Sequence, residues 1–312
     1  MNPLRRADYR ATRAAASKIN RHPRENGTAI SPSRQLAAPL EAPPSAALRP
    51  FFGFYGGKWR DALKHYPPPK HSSVVEPFAG SAGYSIRYPA RRVILCEIDP
   101  ILAQIWTYLI GVRAAEILAI PDITIGGTID DLKVCQEAKW LVGLWLNRGV
   151  SNPRLRPSKW MRDGIRPGSF WGCRVRQTIA SQLDSIRHWE IHNGSYKDVP
   201  APRTATWFID PPYQKAGQHY KFGSADIDYN DLALWCKARR GQVMVCENAG
   251  ADWLPFRRLA DVKTTRSERR SMEVLWTNDL ALGTRRRSNK GSVEWRIRRG
   301  ASAQGKTERS SR

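Results

Sequence analysis

Asp210-Pro211-Pro212-Tyr213, preceded by the apolar run Thr206-Trp207-Phe208-Ile209, reads as a carboxylate launched from the end of a buried strand. Ligands of open α/β sheets bind beyond the carboxyl ends of the strands, so such a residue stands where chemistry can occur. Two consecutive prolines fix the backbone and present carbonyl acceptors with no amide donors of their own. A planar amino group carries two N–H donors. Asp210 can accept one and a proline carbonyl the other, while Tyr213 offers a ring face, so the exocyclic amine of a nucleobase fits the site. The plain alternative is an ordinary Asp-Pro-Pro turn that happens to precede an aromatic residue.

The elements that must position these residues alternate between strand and helix. Ser73-Val74-Val75-Glu76 reads as a strand, Pro77-Phe78-Ala79-Gly80-Ser81-Ala82-Gly83 as a glycine-bearing loop, and Tyr84-Ser85-Ile86 as the opening of a helix. Glycines there let the backbone approach a ligand closely, as the first turn of a dinucleotide-type fold requires. The next apolar run, Val93-Ile94-Leu95-Cys96, ends at Glu97, where an acid commonly takes a ribose hydroxyl pair about 20 residues beyond the loop. Asp99 competes for that role, although Glu97-Ile98-Asp99-Pro100 also reads as a helix start in which Asp99 is the cap. Further on, Tyr229 to Cys236 predicts a helix beginning near Asp231 and Gly241 to Asn248 a buried strand. Val262 to Thr265 and Met272 to Thr277 predict a closing pair of strands.

The tetrapeptide at 210–213 resembles the Asp-Pro-Pro-Tyr motif of amino-group methyltransferases that use S-adenosylmethionine, DNA adenine-N6 methyltransferases of the Dam type above all. Upstream, Phe51-Phe52-Gly53-Phe54-Tyr55-Gly56-Gly57-Lys58-Trp59-Arg60 resembles the amino-terminal cofactor motif of that class. The order of motifs matches as well: Gly-Gly-Lys, glycine loop, long interval, then Asp-Pro-Pro-Tyr. The resemblance spans roughly residues 51–278 and implies an α/β, Rossmann-like methyltransferase fold. Its mixed, mostly parallel sheet is flanked by helices and carries an inserted, mainly helical target-recognition subdomain.

By resemblance, Tyr55, Lys58 and Trp59 belong to the cofactor site, with Lys58 meeting the cofactor carboxylate and the aromatics walling the adenosine pocket; the alternative is an aromatic staple to the core. Phe78, Gly80, Ser81 and Gly83 hold the methionine part, and Glu97 holds the ribose. Gly83 comes one residue later than in the commonest family spacing, Phe-x-Gly-x-Gly. Ser195 and Tyr196, in the turn after Trp189-Glu190-Ile191-His192-Asn193, match the contact with the cofactor's adenine, and Ser195 stands where the family often has an acid. Asp210 completes the set. The implied reaction is direct methyl transfer to an amino group held by Asp210 and a proline carbonyl. Pro211 and Pro212 shape the site, and Tyr213 stacks on a base flipped out of duplex DNA.

The implied organisation places the catalytic domain at 49–110 and 191–282, the insertion at 111–190, and basic tails expected to be disordered at 1–48 and 283–312. Within the insertion, Lys139 to Leu146 is dense in apolar residues and reads as core. The stretch Ser151-Asn152-Pro153-Arg154-Leu155-Arg156-Pro157-Ser158-Lys159 has no such periodicity, which makes Arg154, Arg156 and Lys159 candidates for contact with DNA phosphates. Tryptophans 140, 145, 160, 171 and 189 are either flat reading surfaces or core. Lys215 and Lys221, in the polar and aromatic loop after Tyr213, are further DNA candidates, unless that loop, His219 included, is an ordinary mobile one.

Fifty-one Lys and Arg against 28 Asp and Glu in 312 residues give a net charge of +23, which suits a polyanionic partner, here double-stranded DNA. Much of that surplus lies in the tails. The Arg-rich amino-terminal segment also resembles a transit peptide, but its prolines interrupt a sustained amphipathic helix. Five cysteines without paired metal-ligand spacing point to small apolar fillers, with no structural metal. Neither a secretory signal nor a membrane-spanning run is evident, so the expected setting is cytoplasmic, in a bacterial cell or phage-infected host. Cytosine-N4, RNA or protein-glutamine methylation is the enzymatic alternative. A noncatalytic DNA-binding protein with a methyltransferase fold is the alternative of a different class.

Overall fold

The computed structural model describes residues 47–124, 126–164, 169–263 and 270–279. The tails expected at 1–48 and 283–312 lie outside the described residues except at 47 and 48. Leu48 is buried, its N–H donating to the Ile86 carbonyl at 2.9 Å, so the packed chain begins before the expected boundary.

Seven strands form one sheet: β1 (Ser73–Glu76), β2 (Arg92–Glu97), β3 (Glu190–Asn193), β4 (Ala205–Ile209), β5 (Gly241–Asn248), β6 (Arg257–Lys263) and β7 (Arg270–Thr277). Their spatial order is β3-β2-β1-β4-β5-β7-β6. The first five pair in parallel, and β7 runs antiparallel between β5 and β6. The order 3-2-1-4-5 is that of a doubly wound sheet, and its direction of winding reverses between β1 and β4. The crevice at their carboxyl ends is the place where such a sheet opens to a ligand. β1 ends there at Glu76, and β4 hands on directly to Asp210.

Period-two alternation divides these strands between two cores. Val74, Val93, Leu95, Phe208, Met244 and Cys246 face one. Val75, Ile94, Cys96, Trp207, Ile209, Val243 and Val245 face the other. Burial on both faces explains why β4 is apolar almost without interruption. Three of the five cysteines are buried, Cys96, Cys236 and Cys246, and all five are free thiols.

The helices are α1 (Trp59–His65), α2 (Pro100–Gly111), α3 (Ala114–Ala119), α4 (Gln136–Trp145), α5 (Lys159–Arg162), α6 (Cys173–Ala180) and α7 (Tyr229–Lys237). Asp99 caps α2 by accepting from the Ile101 N–H, with Pro100 in the first turn. Asp228 caps α7, so that helix starts two residues before the expected Asp231. The helix expected to open at Tyr84 is only a 3₁₀ turn, Ser85–Arg87. Pro89 follows immediately, and a proline disfavours helical backbone in the residue before it. Of the strand expected at 262–265, residues 262 and 263 belong to β6, which begins earlier, at Arg257, while 264 and 265 lie outside the described residues.

The segment 111–190 is mainly helical but has no core of its own. Ile117, Leu141, Val142, Leu144, Val175 and Ile179 join the same core as Val74, Val93 and Phe208 of the sheet. Trp171 and Trp189 are buried in it, whereas Trp160 is 63% exposed. The expected recognition subdomain is therefore, among the described residues, a helical layer continuous with the sheet's packing. No helix of the described residues is long and apolar enough to cross a membrane.

Candidate active site

Asp210 follows the last residue of β4, and its carboxylate is met by the ammonium of Lys58, the residue preceding α1. Lys58 Nζ lies 2.8 Å from Oδ1 and 2.9 Å from Oδ2, and it also donates to the Gly56 carbonyl at 3.1 Å. The Lys58 side chain is 8% exposed and that of Asp210 19%. Burial works against the ammonium, but the charges of Asp210 and Glu273 outweigh it and hold the Lys58 pKa above its ordinary value. Burial raises the Asp210 carboxyl, opposed by the charge of Lys58 and by its hydrogen bonds.

The two prolines are not equivalent. The Tyr229 hydroxyl donates to the Pro212 carbonyl at 2.5 Å. That leaves the Pro211 carbonyl as the one without a donor among the described residues.

An inner cavity of about 140 Å3 opens beside this pair, above the carboxyl ends of β1 and β4. Ten of the expected cofactor residues line it: Tyr55 and Lys58 from the Gly-Gly-Lys segment, Phe78, Gly80, Ser81 and Gly83 from the loop after β1, Glu97, Ser195 and Tyr196, and Asp210. Glu97 accepts the Gly80 N–H at 2.8 Å and the Asp99 N–H at 3.0 Å, which ties the end of β2 to the glycine loop. Burial raises its pKa to about 7 against these bonds. Glu76, which the sequence reading passed over, also lines the cavity; burial takes it to about 8, although it accepts the Ser85 N–H at 2.7 Å. The Phe78 and Tyr196 rings stack with centroids 5.4 Å apart.

Gly83 has a packing use besides lining the cavity. A Cβ there would come within 2.7 Å of the Lys58 backbone nitrogen and 2.8 Å of that of Trp59. Its missing side chain thus lets the glycine loop pack against the start of α1, which sets the distance between Lys58 and the cavity floor. In the same loop Gly80 and Ala82 have φ of +46° and +50°, the second unusual for a residue with a Cβ.

Asp99 combines the two roles the sequence left open, capping α2 while lining the cavity. Lys221 reaches the same carboxylate at 3.4 Å. The loop after Tyr213, expected to carry a DNA contact at Lys221, thus folds back over the inner cavity. Its Tyr220 hydroxyl donates to the Tyr55 carbonyl at 3.1 Å, and the Gln214 N–H donates to the buried Glu247 carboxylate at 2.7 Å. Tyr220 was not singled out from sequence; its aromatic contacts lie 165 residues away in the chain, beyond the reach of any local pattern.

Neither a family model nor a curated protein matches this chain by sequence.

A second, outer cleft of about 590 Å3 adjoins the first, and Lys58, Tyr55, Ser81 and Tyr220 belong to both walls. Tyr213 lines only this outer cleft, together with Glu273 and Asn248. Its cations are Arg49, Arg60, Arg148 and Arg174. Trp59 also lines it, outside the inner cavity. Its indole donates to the Leu48 carbonyl at 2.7 Å and its ring lies 3.7 Å from the Arg87 guanidinium, so the expected adenosine wall is a packing residue.

The expected DNA contacts lie elsewhere. Arg154, Arg156, Lys159 and Lys215 are exposed and line neither cavity. Arg156 donates to the Gly126 carbonyl and Lys159 pairs with Asp163. The irregular stretch that carries the first three is pinned to α4 and its end by the Arg154 N–H to the Gly143 carbonyl and the Ser158 N–H to the Leu146 carbonyl, each at 3.0 Å. Among the described residues, no group of three or more His, Cys, Asp or Glu side chains is placed to hold a metal ion.

Proposed function

We propose that the protein is an S-adenosylmethionine-dependent DNA methyltransferase acting on the N6 amino group of adenine. The observation that carries this reading is the placement of Asp210 at the switch point of the sheet, lining the inner cavity and held by Lys58, a residue of the wall shared by two cavities. One cavity suits a small ligand and the other opens onto arginines. A group-transfer enzyme needs its two substrates to meet at one boundary, in line and without intervening water.

The inner cavity fits the cofactor on its own chemistry. Glu76, Glu97, Asp99, Asp210 and Asp226 line it together with Lys58 and Lys221, so carboxyl acceptors face a ligand that bears hydroxyl and ammonium donors. Glu97 offers carboxylate acceptors for ribose hydroxyls, while Phe78 and Tyr196 present aromatic surface for adenine. When bound, the cofactor supplies an electrophilic methyl group. The chain's own residues act on the other substrate: Asp210 and the Pro211 carbonyl accept the two amino hydrogens and localise the nitrogen lone pair, and Tyr213 supports the base plane. Lys58 holds Asp210 ionised and in position. An adenine inside a duplex is out of reach, so the nucleotide is extruded into the outer cleft.

The deciding experiment expresses wild type, Asp210→Asn and Asp210→Ala in a methylation-deficient bacterial host and sequences the DNA by a single-molecule method that reads modified bases. Asp210→Asn keeps an oxygen for Lys58 and so guards against simple unfolding. N6-methyladenine at a recurring short motif, in the wild type only, is the expected result. An N4-methylcytosine signal selects the other base. Soluble protein that leaves no mark, and binds DNA but never the cofactor, overturns the enzymatic reading.

A further inference from the structure

Glu273 lies on β7, 6% exposed, opposite Asn248 of β5 in the antiparallel register. A buried carboxylate persists only where partners replace the water it has lost. Burial raises the Glu273 pKa, opposed by the charge of Lys58, and among the described residues the one hydrogen-bond partner of its side chain is the Tyr213 hydroxyl, at 2.5 Å. Both groups belong to the proposed site. Tyr213 itself is half-buried, with Lys58 Nζ 4.8 Å from its ring centroid. Its ring therefore hangs from the loop after two prolines, with the hydroxyl fixed by a charge-assisted bond to a strand 60 residues further along the chain.

We infer that Glu273 is a positioning residue for methyl transfer: it anchors the Tyr213 hydroxyl, sets the plane against which the target base stacks, and makes β7 part of the target-base site. This rests on the methyltransferase reading above. A ring that can swing through its rotamers offers a stacking surface for only part of the time, whereas an anchored ring is organised before the base arrives. Nothing in Asp-Pro-Pro-Tyr requires a carboxylate on the last strand; the demand comes from the phenol, which has to be satisfied at the cleft floor.

The test compares wild type, Glu273→Ala, Glu273→Gln, Tyr213→Phe and the double variant Glu273→Ala/Tyr213→Phe on a duplex carrying the motif found by sequencing. The readouts are kcat, KM for DNA, S-adenosylmethionine affinity and the fluorescence of 2-aminopurine at the target position. Glu273→Ala is expected to lower kcat about 20-fold with cofactor affinity unchanged to within about twofold, Tyr213→Phe to match it, and the double variant to be no worse. Glu273→Gln, which keeps an acceptor oxygen, restores kcat to within about fivefold of wild type. The 2-aminopurine signal of the bound duplex changes in Glu273→Ala and in Tyr213→Phe alike. Wild-type kcat in Glu273→Ala, or losses that add in the double variant, overturns the inference while leaving the methyltransferase reading intact. A wild type that methylates no DNA overturns both. If Glu273→Ala does not fold, Glu273→Gln and Tyr213→Phe decide the matter: a Tyr213→Phe enzyme with wild-type kcat rules the anchor out.

Discussion

The Lys58 ammonium spans both oxygens of Asp210, at 2.8 and 2.9 Å, across 152 residues of chain. The carboxylate that ends β4 is thus gripped from the opposite end of the fold, by the residue that begins α1. Burial raises the Asp210 carboxyl and Lys58 opposes it, while the buried Glu273, from a third segment, helps to hold Lys58 charged.

Lys58→Met removes the cation that opposes the burial of Asp210, so the Asp210 pKa rises further. Only the ionised carboxylate accepts the amine's hydrogens well. The acid limb of kcat/KM for DNA is expected to move to higher pH, and turnover to fall about 100-fold, roughly 3 kcal/mol of transition-state stabilisation. A pH–rate profile of the variant beside wild type measures both. An unmoved acid limb argues against control of Asp210 by Lys58.

Tyr196→Ala strips the inner cavity of one of its two stacked rings, while the lost hydroxyl contact, to Asp231 on α7, lies away from the cleft. Cofactor affinity is expected to drop about tenfold, near 1.4 kcal/mol, with duplex affinity unchanged. Calorimetric titration of each ligand separately provides the check.

Glu97 at about 7 and Glu76 at about 8 both stand above the ordinary 4.5 of a glutamate. The folded protein therefore holds more protons than the unfolded chain between those values, and stability falls as pH rises through that window. Ligand-free protein is expected to melt at a higher temperature near pH 5.5 than near pH 8, and Glu76→Gln to flatten the difference. Thermal melts across the window, without cofactor, test the sign.

Arg60 and Arg174 line the outer cleft and have no ion-pair partner among the described residues. Replacing either by Ala is expected to weaken duplex binding and to reduce the slope of log K against log salt by about one. Arg154→Ala, Arg156→Ala and Lys159→Ala, on the outer surface, are expected to change that slope less. Salt titrations of the five variants rank the two surfaces directly, and an inverted order would move the DNA to the outer face.

The parts of this architecture that were legible in the sequence are those specified locally. Thr206 to Ile209 announces β4 because a strand buried on both faces is a plain apolar run, and Gly241 to Asn248 matches β5 residue for residue. The glycine loop and Glu97 were found because their spacing in sequence is also their spacing in space. Glu273, Tyr220 and Arg60 were not, because their relation to Asp210 exists only after β7 inserts between β5 and β6, the loop folds back and α1 docks. The placement of the cations between Arg154 and Lys159 was hidden for the same reason. Their composition suits phosphate, but composition carries no direction, and the backbone bonds to α4 and Leu146 hold that stretch away from both cavities.

Lys58 and Tyr220 are shared by the walls of both cavities, so neither ligand can shift them without altering the other's seat. Thermodynamic linkage makes such an effect reciprocal. Whatever factor the small ligand contributes to the grip on the duplex, the duplex must return to the small ligand, and the spent cofactor inherits a different factor from the fresh one. In the proposed reaction, this shared wall couples loading to release.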